Sequence, residues 1–254
     1  MAVNEGILLS LTCGQAFRFD CINGVYTGVI GNKVYSIDKT NLGQIETNDV
    51  LKEFFDIERD YESIKQYLSS LSPIMKEAIG HAPYIRILKQ SPVETLMSFI
   101  LTSCNNIPRI KGMIERLSAR YGQYITTINE KNYYTFPAVR SLAASREEDL
   151  RSLGLGFRAS YIKNAAMMID SGKFDVDAIY KMDDSKAREY LTSLTGVGGK
   201  IADCVLLFGY NRLNVFPKDV HIKRVMVNDF PGKDETFFAP YSGIAQQFLF
   251  YKDL

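Results

Sequence analysis

The stretch Leu194-Thr-Gly-Val-Gly-Gly-Lys200-Ile-Ala-Asp-Cys204 interrupts a helical pattern with three glycines and then resumes it with a lysine. Helical patterns on both sides predict two helices joined by a tight turn, a helix–hairpin–helix over about residues 184–208. Gly196 and Gly198 let the backbone approach a ligand closely, and amides at the start of the second helix favour an anionic phosphate. A plain helix–helix turn with glycine caps is the simpler alternative, but three glycines followed by a lysine disfavour it.

Lys200 and Asp219 are the two candidate catalytic residues near this turn. Lys200 lies in the first turn of the second helix, where the helix dipole disfavours a positive charge and so favours a nucleophilic amine. Asp219 lies in Phe216-Pro-Lys-Asp219-Val-His221, and its carboxylate can accept a proton or stabilise developing positive charge. Taken singly, the two residues have plainer interpretations: a phosphate-binding lysine, and an aspartate that caps a helix beginning near Val220. Together behind this hairpin, they indicate a shared reaction centre.

Composition and charge narrow the classes of function. The 254 residues carry a net charge of +1, but residues 1–80 have 7 Lys+Arg against 11 Asp+Glu, and residues 81–254 have 23 against 18. A basic face on the later part is therefore allowed without being required. No segment approaches the roughly 20 apolar residues that span a bilayer, and the first residues do not resemble a secretory signal. We expect a cytoplasmic protein with no membrane partner, associated with the nucleoid if the source is prokaryotic.

The cysteines and histidines argue against redox and zinc chemistry. Cys13, Cys21, Cys104 and Cys204 are scattered and form no Cys-x-x-Cys pair, as in a reduced intracellular protein. The chain has only two histidines, which leaves a zinc site short of ligands. We therefore expect no metal in the catalytic site.

Two kinds of patterning divide the chain. Apolar and polar residues alternate over residues 16–20, 24–30 and 33–38, with Asn23-Gly24 and Gly31-Asn32 between these runs, which predicts an antiparallel meander with two-residue turns. From about Ile64 onward, apolar residues recur at helical spacing. The sequence therefore predicts an α+β protein, with an N-terminal antiparallel β-sheet domain over residues 1–80. A helical domain that contains the helix–hairpin–helix follows over residues 81–254.

The hairpin and the Pro-Lys-Asp segment resemble the helix–hairpin–helix and Gly/Pro-Asp loop of the DNA glycosylase superfamily and, more narrowly, the 8-oxoguanine DNA glycosylase family. The resemblance covers most of the chain, because other segments match motifs of that family in the same order. These are the Gly-Gln-x-Phe-Arg-aromatic segment in residues 11–19, the asparagine-rich loop and helix in 105–117, the wedge loop in 154–158, and the final helix in 243–250.

The resemblance implies a bifunctional enzyme, a DNA glycosylase that is also an abasic-site lyase. Lys200 would attack the damaged nucleotide and form a Schiff base, with Asp219 as its acidic partner. The nucleotide would be flipped out of the duplex at a cost of roughly a few kcal/mol. Phe250 and Cys204 would sandwich the flipped base, Gln246 would read its Watson–Crick edge, and the Gly14 carbonyl would accept the proton unique to the oxidised ring. Without the resemblance, Phe250 is better explained as core, Gln246 as a solvated polar face and Gly14 as a turn.

The resemblance also implies a set of DNA-binding residues. His221 would contact a flanking phosphate, while the wedge loop and one arginine of the asparagine-rich segment would fill the gap beside the orphaned base. The full set is Asn105, Asn106, Arg109, Phe157, Arg158, Gly196, Gly198 and His221. Without the resemblance, the arginines are general phosphate contacts and His221 is an ordinary surface histidine.

The chain departs from the family pattern at Cys104, where well-known members have an asparagine that contacts the opposite cytosine. A thiol is a weak hydrogen-bond donor and acceptor, so we expect a relaxed preference for the base opposite the lesion. The implied partner is double-stranded DNA containing 8-oxoguanine, bound by a monomer. No cofactor is expected for the chemistry, although the resemblance allows a structural monovalent cation at the hairpin carbonyls.

Three alternatives remain. The first is a glycosylase for another damaged purine, and the second is a helix–hairpin–helix module that binds DNA without catalysis. The pairing of Lys200 with Asp219 argues against the second, because binding alone requires neither residue. The third is an interaction protein built on the N-terminal sheet, which only the acidic balance of residues 1–80 supports.

Overall fold

The computed structural model describes residues 3–252. Its N-terminal part contains an antiparallel sheet of three strands in the order β1 (Phe19–Ile22), β2 (Val25–Ile30) and β3 (Lys33–Ile37). Asn23 and Gly24, both with positive φ, form the first two-residue turn, and Gly31 with φ of 60° begins the second. The predicted meander is confirmed, although its first strand begins at Phe19 rather than at residue 16.

Most of the remaining chain is helical, which confirms the predicted α+β fold. The α-helices are α1 (Gln44–Thr47), α2 (Asp49–Phe54), α3 (Tyr61–Leu71), α4 (Pro73–His81), α5 (Pro92–Ile100), α6 (Ile107–Tyr121), α7 (Val139–Ala144), α8 (Glu147–Leu150), α9 (Arg158–Asp170), α10 (Asp184–Thr192), α11 (Gly199–Gly209), α12 (Val220–Asp229) and α13 (Ser242–Lys252). No helix within residues 3–252 is long and apolar enough to cross a bilayer.

The helical part also contains a β-hairpin that the sequence did not predict. β4 (Tyr124–Ile128) and β5 (Lys131–Tyr134) form a separate antiparallel hairpin after α6. Its turn places Asn129 and Glu130 at φ of 49° and 63°. A glutamate in the left-handed region is uncommon, so the pair lacks the Asn-Gly signal that marks the turn between β1 and β2.

Two apolar cores hold the fold together. The smaller core packs the sheet against α1 and α2, through residues such as Phe19, Ile37 and Phe55. The larger core joins α3 and α4 to the later helices. α3 and α4 thus pack with the helical core, although all of their residues except His81 fall in the predicted N-terminal domain of residues 1–80. The domain boundary itself stays a prediction.

The helix–hairpin–helix consists of α10, a turn over residues 193–198, and α11. Asp183 caps α10, since its carboxylate accepts the Lys186 amide at 2.8 Å. Asp184 is the first helical residue, and its carboxylate accepts a hydrogen bond from the Arg212 guanidinium at 2.6 Å. α11 is almost wholly buried after its first turn, so the helix that begins at the hairpin runs straight into the larger core.

Candidate active site

Glycine occurs at the two hairpin positions, 196 and 198, for different structural reasons. Gly196 has φ of 87°, and a Cβ atom there would lie 2.4 Å from the Tyr161 ring. Gly198 precedes α11 with φ of −88°, and a Cβ atom there would have no other atom within 4 Å. Gly196 is therefore required by backbone conformation and packing, whereas Gly198 leaves open space at a helix N-terminus, where an anion is favoured.

Lys200 lies in the first turn of α11, as the sequence predicts, and is half-buried. Its Nζ atom is 5.4 Å from the centre of the Phe99 ring, within cation–π range. Cys204 follows one turn later on the same helix face and is only 3% exposed. Burial raises the pKa of the Cys204 thiol to about 11, and the nearby charge of Lys200 opposes that rise. The amine is thus held between an aromatic ring and a neutral thiol.

Asp219 caps α12, as one interpretation of the sequence has it. Its Oδ1 atom accepts the Ile222 amide hydrogen at 2.8 Å. The same carboxylate is close enough to Cys204 to contribute to its raised pKa, after burial as the main cause. Capping employs one carboxylate oxygen, and a carboxylate has two, so the capping role and a role beside Lys200 are compatible.

α13 brings Phe250 to the loop that contains Gly14. A Cβ atom on Gly14 would lie 3.5 Å from Phe250 Cε1 and 3.7 Å from Ile107 Cδ1. Gly14 has φ of 87°, so a side chain would be strained there. The Phe250 ring also meets the His221 ring nearly at right angles, with centroids 6.0 Å apart. Residues from the N-terminal segment, α12 and the final helix thus lie close together around the Phe250 ring.

Gln246 lies one helical turn before Phe250 and is 6% exposed. Its Oε1 atom is buried and has no hydrogen-bond partner among residues 3–252. Buried side-chain oxygens are usually hydrogen-bonded, so an acceptor without a partner on the pocket helix marks a place for a ligand donor.

A second group of candidate residues surrounds Cys104. Cys104 is exposed with φ of 47°, and Arg158, 5% exposed, reaches under it. The guanidinium donates to the carbonyls of Cys104, at 2.9 Å, and of Ser103. Burial lowers the pKa of Arg158, and the neighbouring charge of Arg109 adds to the effect. In this conformation, Arg158 supports the loop from below rather than projecting from it.

Phe157 projects beside this group, with 46% of its surface exposed. Gly154 and Gly156, with φ of 85° and 60°, turn the chain sharply before it. The Arg158 guanidinium lies 4.4 Å from the centre of the Phe157 ring. An exposed aromatic on a glycine-bounded turn, stacked on an arginine, is suited to entering a base stack.

The two asparagines of the predicted DNA-binding loop make local hydrogen bonds. Asn106 caps α6 by accepting the Arg109 amide at 3.1 Å. Asn105 donates to the Leu101 carbonyl at 3.0 Å and accepts the Asn106 amide. Both side chains therefore shape the loop in this conformation, and their contacts with DNA stay predictions.

The structure adds three site residues that the sequence analysis missed. Phe99 faces Lys200, Ile107 forms a wall beside Gly14, and Tyr161 packs under Gly196 and meets the Phe157 ring at 5.8 Å. Tyr161 lies four residues after Phe157 on the same helix face, a spacing that is visible in the sequence. Phe99 belongs to an apolar segment that looks like ordinary core, and Ile107 is a single apolar residue between Asn106 and Pro108, so neither signals a site.

Comparison with known proteins places this geometry in a family. The model described as 8-oxoguanine DNA glycosylase, N-terminal domain, matches residues 6–96, and that of the HhH-GPD superfamily base excision DNA repair protein matches residues 97–236. A solved complex of the Clostridium acetobutylicum 8-oxoguanine glycosylase/lyase is 33% identical, with a TM-score of 0.84, and covers 95% of this chain and 89% of its own. The chain belongs to the 8-oxoguanine DNA glycosylase family.

Other proteins, including relatives described as N-glycosylase/DNA lyases, are also similar to this chain. A structure of MBOgg1 is 37% identical with a TM-score of 0.86, again over 95% of this chain and 89% of the other. The N-glycosylase/DNA lyase of Saccharomyces cerevisiae is 41% identical over 58% of this chain and 42% of its own length. The probable N-glycosylase/DNA lyase of Methanothermobacter thermautotrophicus is 31% identical over 72% and 64%. The chain thus spans less than two thirds of these two curated relatives.

The two family models divide the pocket residues between them. Gly14 lies in the N-terminal segment of this 8-oxoguanine glycosylase family member, and Lys200 and Asp219 lie in the HhH-GPD segment. Gln246 and Phe250 follow both matched segments. Within residues 3–252, no group of three or more His, Cys, Asp or Glu side chains is placed to hold a metal ion.

Proposed function

We propose that this protein is a bifunctional DNA glycosylase and abasic-site lyase that excises 8-oxoguanine from double-stranded DNA. The observation that carries the proposal is the placement of the Lys200 amine over the Phe99 ring, one helical turn before the buried Cys204, with the capping carboxylate Asp219 close enough to the same thiol to influence its pKa. A relative supports the substrate, because the Clostridium acetobutylicum enzyme is described in complex with double-stranded DNA containing cytosine opposite 8-oxoG. The relatives described as N-glycosylase/DNA lyases support the double activity.

The chemistry begins at Lys200. Its neutral amine donates an electron pair to C1′ of the flipped nucleotide, and the C1′–N9 bond breaks as the base leaves with a proton. The sugar ring opens as the amine loses a proton, which gives a protonated imine. That imine acidifies the C2′ hydrogens, so removal of one of them breaks the C3′–O3′ bond and cleaves the strand. Asp219 stabilises the positive charge that develops on the sugar and moves protons between these steps.

Recognition of the lesion depends on the pocket between α11 and α13. The flipped base stacks between the Phe250 ring and the Cys204 thiol, which stays neutral because burial raises its pKa to about 11. The Oε1 atom of Gln246 accepts a hydrogen bond from the Watson–Crick edge of the base. The Gly14 carbonyl accepts the N7 hydrogen that 8-oxoguanine has and guanine lacks. An undamaged base would leave that buried carbonyl without a partner, which costs about 1–3 kcal/mol.

The residues around Cys104 bind the part of the duplex from which the nucleotide has been flipped, including the orphaned base on the opposite strand. Phe157 fills the space of the flipped nucleotide, Arg109 lies beside the orphaned base, and His221 binds a flanking phosphate. Arg158 contributes by holding the loop that faces the orphaned base. Because the exposed group at position 104 is a thiol, the orphaned base makes few directional hydrogen bonds there. We therefore propose that the preference for cytosine opposite the lesion is relaxed.

The protein in this proposal acts alone. It binds double-stranded DNA as a monomer in the cytoplasm and requires no cofactor for the reaction. Gly198 and the first amides of α11 receive a backbone phosphate, and a structural monovalent cation at the hairpin carbonyls stays a prediction. Light scattering gives the molar masses of the free protein and of its DNA complex, and these masses test whether the protein is a monomer.

Borohydride trapping tests the proposed function. Purified protein is mixed with a labelled duplex carrying one 8-oxoguanine opposite cytosine, and borohydride reduces any imine to a stable amine. We expect a covalent adduct with the wild type, none with the Lys200→Gln variant, and none with undamaged guanine. Tight binding by Lys200→Gln, measured by fluorescence anisotropy, shows that the variant is folded.

Other results would lead to other functions. Adduct formation on a different damaged purine, with none on 8-oxoguanine, would replace the substrate but keep the mechanism. Tight DNA binding without an adduct on any of a panel of lesions would indicate a non-catalytic helix–hairpin–helix module.

A further inference from the structure

Gln15, the residue after Gly14, is fully buried, and its side-chain amide is fully hydrogen-bonded. Its Nε2 atom donates to the Arg86 carbonyl at 2.8 Å and to Cys13 Sγ at 3.2 Å. Its Oε1 atom accepts the Leu88 amide hydrogen at 2.9 Å. A buried amide with every group satisfied constrains the backbone on which it sits. That backbone includes the peptide unit that joins Gly14 to Gln15 and carries the Gly14 carbonyl.

An extended segment, residues 86–90, connects Gln15 to the helix of Lys200. We refer to this segment as the 86–90 strap. At its end, Gln90 Nε2 donates to the main-chain carbonyl of Gln15 at 2.7 Å. The main-chain amide of Gln90 donates to the Phe208 carbonyl in α11 at 3.0 Å. Gln90 therefore bonds both to the loop of Gly14 and to the last turn of α11, the helix that carries Lys200 in its first turn.

The same loop is tied to α13 from its other side. Cys13 Sγ, which receives the Gln15 amide, also receives Nε2 of Gln247 at 3.8 Å. Gln247 adjoins Gln246, and Phe250 follows one turn later. The loop of Gly14 is thus held by a part-buried contact through Gln90, which leads to α11, and by a buried contact through Cys13, which leads to α13.

We propose that Gln15 and Gln90 are positioning residues that hold the Gly14 carbonyl in register with Lys200 and so determine the discrimination between 8-oxoguanine and guanine. The inference rests on the proposed function, because it assigns lesion reading to the Gly14 carbonyl. Reading by a single acceptor is sensitive to position, since a hydrogen bond weakens steeply with angle and distance. A site of this kind needs its geometry held within about 0.5 Å by supporting side chains.

The test compares two reactions of the same enzyme. Gln15→Met and Gln90→Met keep side-chain length but remove the amide hydrogen bonds. Single-turnover rates are measured for 8-oxoguanine excision and for strand cleavage at a preformed abasic site, which has no base for Gly14 to read. We expect excision to fall about tenfold or more, the equivalent of one lost hydrogen bond, while cleavage at the abasic site changes less than about twofold. We also expect the ratio of the excision rates for 8-oxoguanine and guanine to fall in both variants.

Lys163→Met is the matched control. Lys163 likewise donates from a half-buried side chain to main-chain carbonyls, those of Ala143 and Ser145, but it joins α9 to the end of α7. Thermal unfolding measures the stability that the Lys163→Met variant loses. The rate change of this variant then shows how much of the effect in the glutamine variants comes from destabilisation alone. We expect it to leave the ratio of the two reactions unchanged.

Each outcome decides the inference. Parallel losses in both reactions, or no loss in either, would overturn it while leaving the proposed function intact. If Gln15→Met does not fold, Gln90→Met carries the test, because it deletes one bond from a half-buried residue. A wild type that cleaves abasic DNA but leaves 8-oxoguanine in place would instead refute the proposed substrate, and with it the role of Gly14.

Discussion

Two cysteines mark two regions of this molecule that are built in opposite ways. Cys204 is 3% exposed, lies within a regular helix and belongs to the larger apolar core. Cys104 is exposed on a loop and has a left-handed backbone conformation. A change at Cys204 disturbs close packing, whereas a change at Cys104 meets solvent. The surroundings of Cys204 are therefore constrained by the fold itself, whereas the side chain at position 104 can vary in chemistry while the fold is kept.

The loop of Cys104 nevertheless keeps a defined shape, because Arg158 holds it from another helix. The planar guanidinium donates to the carbonyls of Ser103 and Cys104, and lysine cannot reproduce that fork of donors. The backbone shape of this loop therefore does not depend on which side chain occupies position 104. Excision and reading of the opposite base should therefore respond to different substitutions.

The largest effect is expected at Asp219, which serves both the fold and the proposed reaction. Asp219→Asn should reduce the rate of 8-oxoguanine excision by about a hundredfold or more, because an amide cannot accept a proton or balance positive charge. Its free energy of unfolding should change by less than about 1 kcal/mol, since asparagine caps helices as well as aspartate does. Single-turnover kinetics and urea denaturation measure the two quantities.

Asp219→Ala provides the control for that substitution. It removes the cap as well as the charge, so it should lose about 1 kcal/mol of stability in addition to activity. An Asp219→Asn variant that excises at the wild-type rate would show that the carboxylate contributes only as a helix cap.

Within the hairpin, Gly196→Ala and Gly198→Ala should separate stability from binding. Gly196→Ala should cost about 2–4 kcal/mol, since it combines a strained backbone with a collision on Tyr161. Gly198→Ala should change stability by less than about 1 kcal/mol but weaken DNA binding several-fold, because its methyl group enters the open space before α11. Urea denaturation and fluorescence anisotropy test the pair, and equal stability losses at both positions would refute the distinction.

Cys104→Asn should alter the choice of opposite base with little effect on excision opposite cytosine. The wild type should excise 8-oxoguanine opposite adenine within about tenfold of its rate opposite cytosine, and the variant should widen that ratio, because an amide offers directional donors and acceptors. Asparagine also tolerates the left-handed backbone at this position, so stability should stay equal or rise by a few tenths of a kcal/mol. Single-turnover rates opposite all four bases decide it. A wild type that is orders of magnitude slower opposite adenine would contradict the relaxed preference.

The smallest perturbation is chemical labelling, which compares the cysteines directly. Burial raises the pKa of Cys13 and Cys204 to about 11, so at pH 8 only about 0.1% of either would be thiolate. Iodoacetamide should therefore label Cys21 and Cys104 in the folded protein, and all four in urea, as read by mass spectrometry. Fast labelling of Cys204 in the folded state would show that its helix opens readily.

The same two thiols predict how stability depends on pH. In the unfolded chain they ionise near pH 9, below their folded pKa of about 11. The unfolded state therefore loses protons first, and the free energy of unfolding should fall as the pH rises from about 9 to 11. Replacing both by alanine should flatten that part of the curve.

Local sequence patterns predicted those parts of the fold that depend on neighbouring residues. Asn23-Gly24 and Gly31-Asn32 marked two turns because their backbone conformations suit those residues, and the glycines after Leu194 marked the hairpin for the same reason. The turn at Asn129-Glu130 was missed, since only its surroundings hold a glutamate in a left-handed conformation. The packing of residues 61–81 into the helical core was missed because period alone does not say which core a helix joins.

The sequence by itself determined the helix–hairpin–helix, the position of Lys200 in its first turn, and the capping of α12 by Asp219, because hydrogen bonds and backbone angles within a few residues decide them. Only the tertiary structure decided that Gly14 lies beside Phe250, that Phe99 faces Lys200, and that the 86–90 strap joins the loop of Gly14 to α11. Those contacts join segments far apart in the chain. Their geometry depends on how two apolar cores pack together, which no local pattern encodes.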